Sequence, residues 1–166
     1  TPRSRPGWQI GADMGARVRG AAGIAPDTAL RVGWQRFMAE VAWQPAVDLD
    51  AEGRPLRVDA LAMAVGVEWP GWESERVRLS VPLSALVERL TIQRRDLPAA
   101  AHTLWQGGAR AGIRVAFRLT SGWFVEGNVD GRVTPIGRIQ VIDGPELSFN
   151  QLGARMGLGL VFWPGR

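Results

Sequence analysis

The chain has 166 residues, enough for one domain, with no cysteine or tyrosine and a net charge of +4. The lack of cysteine excludes disulfides, thiolate metal sites and a Cys nucleophile. The basic residues, all arginine, are mixed with acids along the chain and form no one-sided patch for nucleic acid. The longest apolar stretch, residues 60–67, falls far short of the ~20 residues of a membrane helix, so only strands could carry this sequence across a bilayer.

Alternation of apolar and polar residues runs through the chain. In the first run Trp8, Ile10, Ala12, Met14, Ala16 and Val18 share one face, and Gln9, Gly11, Asp13, Gly15, Arg17 and Arg19 the other. Residues 20–27 read as a loop. Leu30, Val32 and Trp34 form the apolar face of the second run, and Phe37, Ala39, Val41 and Trp43 that of the third. The phase slips between them, which a bulge or a tight turn at Gln35-Arg36 would absorb, and the turn is preferred. Residues 45–55 are rich in Asp, Glu, Gly and Pro and read as a loop. The fourth run sets Leu61, Met63, Val65, Val67 and Trp69 outward and ends at a turn in residues 70–74, which holds Trp72.

The fifth run places Val77, Leu79, Val81, Leu83, Ala85 and Val87 opposite Arg78, Ser80, Pro82, Ser84 and Glu88. Pro82 weakens it, having no N–H for the ladder, and residues 83–94 also fit a short amphipathic helix. Residues 95–104 read as a loop. The sixth run alternates Ala109, Ala111, Ile113, Val115, Phe117 and Leu119 with Arg110, Gly112, Arg114, Ala116 and Arg118. Ser121-Gly122 then allows a hairpin into the seventh, which holds Trp123, Val125, Val129 and Val133. Residues 134–146 read as a loop in which residues 138–142 extend a strand. Leu152, Ala154, Met156, Leu158, Leu160 and Phe162 form the last run.

With the turn at Gln35-Arg36 there are eight strands, and their connections alternate long and short. That is the order of an all-β, eight-stranded, antiparallel up-and-down transmembrane β-barrel, with short turns at one end and long loops at the other. The barrel is expected over residues 7–163, with an N-terminal extension at 1–6 and a tail at 164–166. Seven of the eight tryptophans stand near the ends of runs or in a turn. Indole suits a membrane–water interface, since its ring is apolar and its N–H wants a wet partner. Trp8, Trp34, Phe37, Trp69, Trp123, Phe162 and Trp163 make a girdle at the short-turn end, and Trp43 and Trp105 mark the other. A soluble lipocalin-like barrel would reverse the faces. It would give neither the two aromatic rings nor the glycines Gly11, Gly15, Gly112, Gly153 and Gly157 on the polar face, where a narrow lumen needs room beside arginine.

The lumen is then expected to hold Asp13, Arg17, Arg31, Glu40, Glu68, Arg78, Arg110, Arg114, Arg118, Glu126, Asp130, Arg132 and Arg155, with Arg19 and Glu88 on the same face. Charges withdrawn from water must be paired, so a salt-bridged plug is the leading expectation. An excess of arginine on that face leaves open a narrow pore for small polar or anionic solutes.

In its alternating runs, its girdles and its final strand Leu152–Phe162, the chain resembles the small eight-stranded outer-membrane β-barrels of Gram-negative bacteria, such as the transmembrane domain of outer-membrane protein A. It departs from them in placing Pro164, Gly165 and Arg166 after the closing aromatics, and in using Trp where Tyr is common. The resemblance implies residence in the outer membrane with periplasmic termini, export with a signal peptide removed, and the lipid bilayer and other envelope proteins as partners. It implies a structural, anchoring or interaction role. Lipid-modifying enzymes share the scaffold, but the single histidine, His102, has no serine beside it. Neither catalysis, a cofactor nor a metal is expected.

Overall fold

A computed structural model describes residues 7–18, 23–51, 54–96, 101–134, 137–140, 146–149 and 152–164. The described residues form ten strands. They are β1 (Trp8–Val18), β2 (Ile24–Trp34), β3 (Phe37–Ala51), β4 (Arg54–Glu73), β5 (Val77–Arg94), β6 (Ala101–Thr120), β7 (Trp123–Val133), β8 (Gly137–Gln140), β9 (Glu146–Phe149) and β10 (Leu152–Phe162). Eight of them close into an antiparallel barrel in sequence order, sealed where β1 pairs with β10, while β8 and β9 make a separate two-stranded sheet. Closure leaves no sheet edge within the ring, which is the condition for strands to lie in lipid.

The faces follow the period-two pattern. Ile10, Met14, Leu30, Val32, Val65, Ile113, Val129, Met156 and Leu158 are exposed around the outside, while the alternate charged and small residues are buried within. An apolar belt on this scale far exceeds what soluble monomers expose, and it disposes of the lipocalin-like alternative. β1, β2, β7 and β10 are each 11 residues long. At about 3.3 Å per residue and the usual barrel tilt, that length spans the ~25 Å apolar band of an outer-membrane barrel.

Gln35-Arg36 is the two-residue turn, closed by the pair Trp34 and Phe37, with Gln35 at φ 56°. Several expected loops are strand instead. β3 runs on through Ala51, and β4 begins at Arg54, so residues 45–51 and 54–55 are strand. A bulge between Gln44 and Val47 resets the phase there and hid the strand from a simple alternation count. β2 begins at Ile24, inside the expected loop. Its Pro26 pairs with β1 but lies above the last contact with β3, Thr28 opposite Trp43, so its missing N–H costs no bond on that side.

Residues 83–94 are strand and not helix, because the ladder to β4 continues without interruption from Leu83 to Arg94. On the other side of β5 the ladder to β6 skips Val81 and Pro82, the local cost of the proline. β6 begins at Ala101, within the expected loop 95–104. β4 passes Pro70-Gly71 by another bulge and ends at Glu73. That bulge turns Trp72 outward opposite Leu79, so Trp72 lies in the strand and the turn follows at residues 74–76. Gly137–Gln140 covers the first part of the expected strand at 138–142, and the rest of it lies outside the described residues.

Candidate functional site

The interior is the candidate site, and every barrel strand contributes to it. Asp13 and Arg17 come from β1, Asp27 and Arg31 from β2, Glu40 from β3, Glu68 from β4, and Arg78 and Glu88 from β5. Arg110 and Arg114 come from β6, Glu126, Asp130 and Arg132 from β7, and Arg155 from β10. All are buried. Among the described residues these are seven arginines and seven carboxylates, so the interior is formally neutral. Two changes remove most of the arginine excess expected from the sequence. Asp27, read as loop, is in β2 and buried. Arg118 lies exposed at the end of β6, where its Nε–H donates to the Thr120 carbonyl at 3.5 Å. Arg19 lies outside the described residues.

The charges pair across the lumen in two linked groups. On the long-loop side Glu88 accepts both Nη groups of Arg132, at 3.0 and 2.8 Å, a fork-to-fork geometry. It also accepts Arg17 Nη1 at 2.8 Å from β1, on the opposite wall, and Gln106 Nε2 at 2.6 Å. Arg17 reaches Asp27 at 3.0 Å, and Arg155 bridges Asp27 at 2.8 Å, Asn128 at 3.0 Å and Asp13. Nearer the short turns, Arg114 joins Glu68 at 3.0 Å, Glu40 at 3.3 Å and Glu126 at 3.7 Å. Arg31 donates to Glu126 at 2.7 Å, Arg110 pairs with Glu40, and Arg78 lies 3.5 Å from Glu68. Asp130 sits between these groups. With Arg17, Glu40, Arg110 and Arg132 it lines a cavity large enough for about one water molecule.

Small residues make this packing possible. A Cβ on Gly157 would stand 2.9 Å from the Asn128 amide and 3.0 Å from Arg155 Nη1, and one on Gly11 would stand 3.1 Å from Arg31 Nη2. Ala25, Ala29, Ala42, Ala62 and Ala64 line the same lumen and are likewise buried. A larger side chain at Gly11 or Gly157 would crowd Arg31 or Arg155.

Apolar clusters lie beyond both ends of the charged layer. On the long-loop side Leu56, Val58, Ala60, Leu90 and Ile92 are buried together, with Leu104 packed against them. At the short-turn end Ala116, Phe124, Val161 and Trp163 form a second cluster. Trp163 packs edge-on against Phe124 at 4.9 Å, lies beneath the Arg78 guanidinium at 4.3 Å, and donates its backbone N–H to the Gly122 carbonyl at 2.6 Å. Trp163 is 5% exposed, so it belongs to the interior at the base of the barrel and not to the outer girdle. It occupies the inward position one residue after outward-facing Phe162, and alternation alone would have placed it there.

The other expected girdle aromatics are on the outer surface. Trp8, Trp34, Phe37, Trp69, Trp72 and Trp123 are exposed at the short-turn end, where Trp8 pairs with Trp34 and Phe162 packs against Trp8 and Trp123. Trp43 and Trp105 are exposed toward the other end. Both lie inside long strands, so they mark a level on the wall and not the end of a strand. Leu61 and Arg89 stand between them in register, and just above, Arg89 faces Asp59 at 4.0 Å on the outer surface. His102 is exposed on β6 opposite Ile92, so neither a nucleophile nor a carboxylate stands across the ladder from it. Among the described residues no three His, Cys, Asp or Glu side chains gather as a metal site.

No protein-family model and no curated protein matches the chain. Solved structures do. Neisserial surface protein A (NspA) superposes with a TM-score of 0.68 at 10% identity, over 97% of this chain and 99% of that one. A major outer membrane protein from Thermus thermophilus gives 0.61 at 10% identity, over 93% and 98% of the two chains. Ail, the attachment invasion locus protein of Yersinia pestis, gives 0.55 at 7% identity, over 94% and 95%. At such identities the likeness is one of fold, and the fold is that of the eight-stranded outer-membrane β-barrels.

Proposed function

We propose that the protein is an integral barrel of a Gram-negative outer membrane that acts as a non-conducting structural, anchoring or interaction subunit of the cell envelope. The observation that carries this reading is the inverted barrel. Its outer face is apolar between two aromatic levels, and its inner face is an ion-pair network, neutral among the described residues and bounded at each end by buried apolar side chains. A conducting path needs a continuous wet lumen with weakly held charge. Here each layer of the lumen is filled by side chains, as expected of a barrel with eight strands.

In this reading the short turns face the periplasm and the long hairpins face outward. The lipid bilayer is the first partner. The wall formed by β3 to β6, whose strands run 15 to 20 residues against 11 elsewhere, rises past the bilayer as the surface available to other envelope components. Planar-bilayer recording tests the proposal. The expected record is a flat baseline from preparations that show the heat-modifiable gel shift of a folded barrel. Steady unitary openings would replace it with the narrow-pore reading.

A further inference from the structure

The short-turn rim carries a second chemistry, unrelated to the lumen. Arg76 lies in the turn between β4 and β5, and Arg118 beside the turn between β6 and β7. The Arg118 backbone N–H donates to the Arg76 carbonyl at 2.8 Å, which locks the two turns side by side. Both residues are exposed, and neither guanidinium forms an ion pair among the described residues. The lumen arginines contrast with them, since the ion pairs there are made between buried groups. Arg76 and Arg118 line one surface pocket together with Leu119, Thr120 and Ser121. Two cations, two hydroxyls and an apolar side chain therefore meet at one place, and no carboxylate lines it. Glu75 precedes Arg76 in the same turn and Glu73 ends β4, both exposed, but neither is part of the lining.

We infer that this pocket binds a phosphate group and that its occupant is the headgroup of an anionic glycerophospholipid in the adjacent leaflet. Guanidinium and hydroxyl donors suit phosphate oxygens. The apolar side of the pocket distinguishes a lipid from free phosphate. Leu119 is the extra residue of the β6 bulge and is 59% exposed, and Phe117, two residues along, is exposed on the outward face. Acyl chains would run from the pocket onto that face. A second pocket at the β2–β3 turn is lined by a single arginine, Arg36, with Gln35, Phe37, Val67 and Trp69. Each of the three short turns thus places an exposed arginine beside outward aromatic or apolar side chains.

This inference rests on the membrane reading above, and its test separates the two. The barrel is reconstituted in phosphatidylcholine bilayers doped with brominated-chain phosphatidylglycerol or brominated phosphatidylcholine, and tryptophan quenching reports which lipid lies next to the rim. The expected result is a preference for phosphatidylglycerol that falls about fivefold for each guanidinium removed in Arg76→Gln and Arg118→Gln. Arg57→Gln, at the opposite end, should leave it unchanged. The single variants carry the test if the double variant folds poorly. Equal quenching by both lipids in the wild type overturns the inference alone, whereas no quenching by either overturns the membrane reading with it. In detergent, dihexanoyl-phosphatidylglycerol should raise the melting temperature of the wild type more than inorganic phosphate does. An equal effect of inorganic phosphate would overturn the lipid as occupant.

Discussion

Glu88 is the residue on which the interior network depends most. It is fully buried and takes Arg17, Arg132 and Gln106 on two oxygens, tying opposite walls of the barrel together. Removing its charge takes the carboxylate from buried Arg132 and leaves Arg17 with Asp27, a change that costs about 3–5 kcal/mol when one partner of a buried pair is lost. Glu88→Gln should therefore lower unfolding stability by that amount in denaturant titrations of the reconstituted protein. Arg118→Gln, at an exposed position, should stay within about 0.5 kcal/mol. Gln35 gives a prediction of the opposite sign. It holds φ 56° without being glycine, so Gln35→Gly should stabilise the first tight hairpin by about 1 kcal/mol in the same titration.

At the scale of the strand, the outer face predicts a depth profile. Leu158 lies midway along β10, opposite Gly127 and Met14, and is widely exposed. Arginine there would sit near the bilayer midplane and should cost about 2–4 kcal/mol. Leu61 stands in register between Trp43 and Arg89, close to the upper level of the wall. Leu61→Arg should cost only about 0–1 kcal/mol, as expected near an interface. Equal costs for the two substitutions would mean that these faces do not sample the depth of a bilayer. Period-two alternation made β1, β7 and β10 legible because they carry no bulge within the run, so every second residue keeps its face. It failed at Gln44–Val47 and Pro70–Trp72, where an extra residue shifts the phase and a polar or proline-bearing stretch reads as loop.

At the scale of the molecule, the described lumen side chains lie in three layers: apolar, charged, apolar. Opening the barrel requires more than the loss of one ion pair, because the Trp163 cluster fills the short-turn end with its own apolar contacts and meets the network through Arg78. Glu88→Gln alone should leave a flat baseline in planar bilayers. The triple variant Glu88→Gln, Phe124→Ala, Trp163→Ala removes side chains from two layers, and its leakage to small ions should exceed that of either layer's variant alone.

Alternation, turn residues and tryptophan placement determined the barrel, its strand parity and the faces of its strands, because a two-residue period is written directly in the order of side chains. The same pattern identified most of the buried charges, including Asp13, Arg17, Glu40, Arg114 and Arg155. Which arginine meets which carboxylate was decided only by closure. Arg17 and Glu88 lie on opposite walls, and their separation in sequence carries no trace of their 2.8 Å contact. The charge balance among the described lumen residues was hidden in the same way. It depended on Asp27 entering through a strand whose proline disguised it as loop, and on Arg118 leaving through the end of the barrel. The period of a strand is local, but the balance of charge inside a closed ring belongs to all eight strands at once.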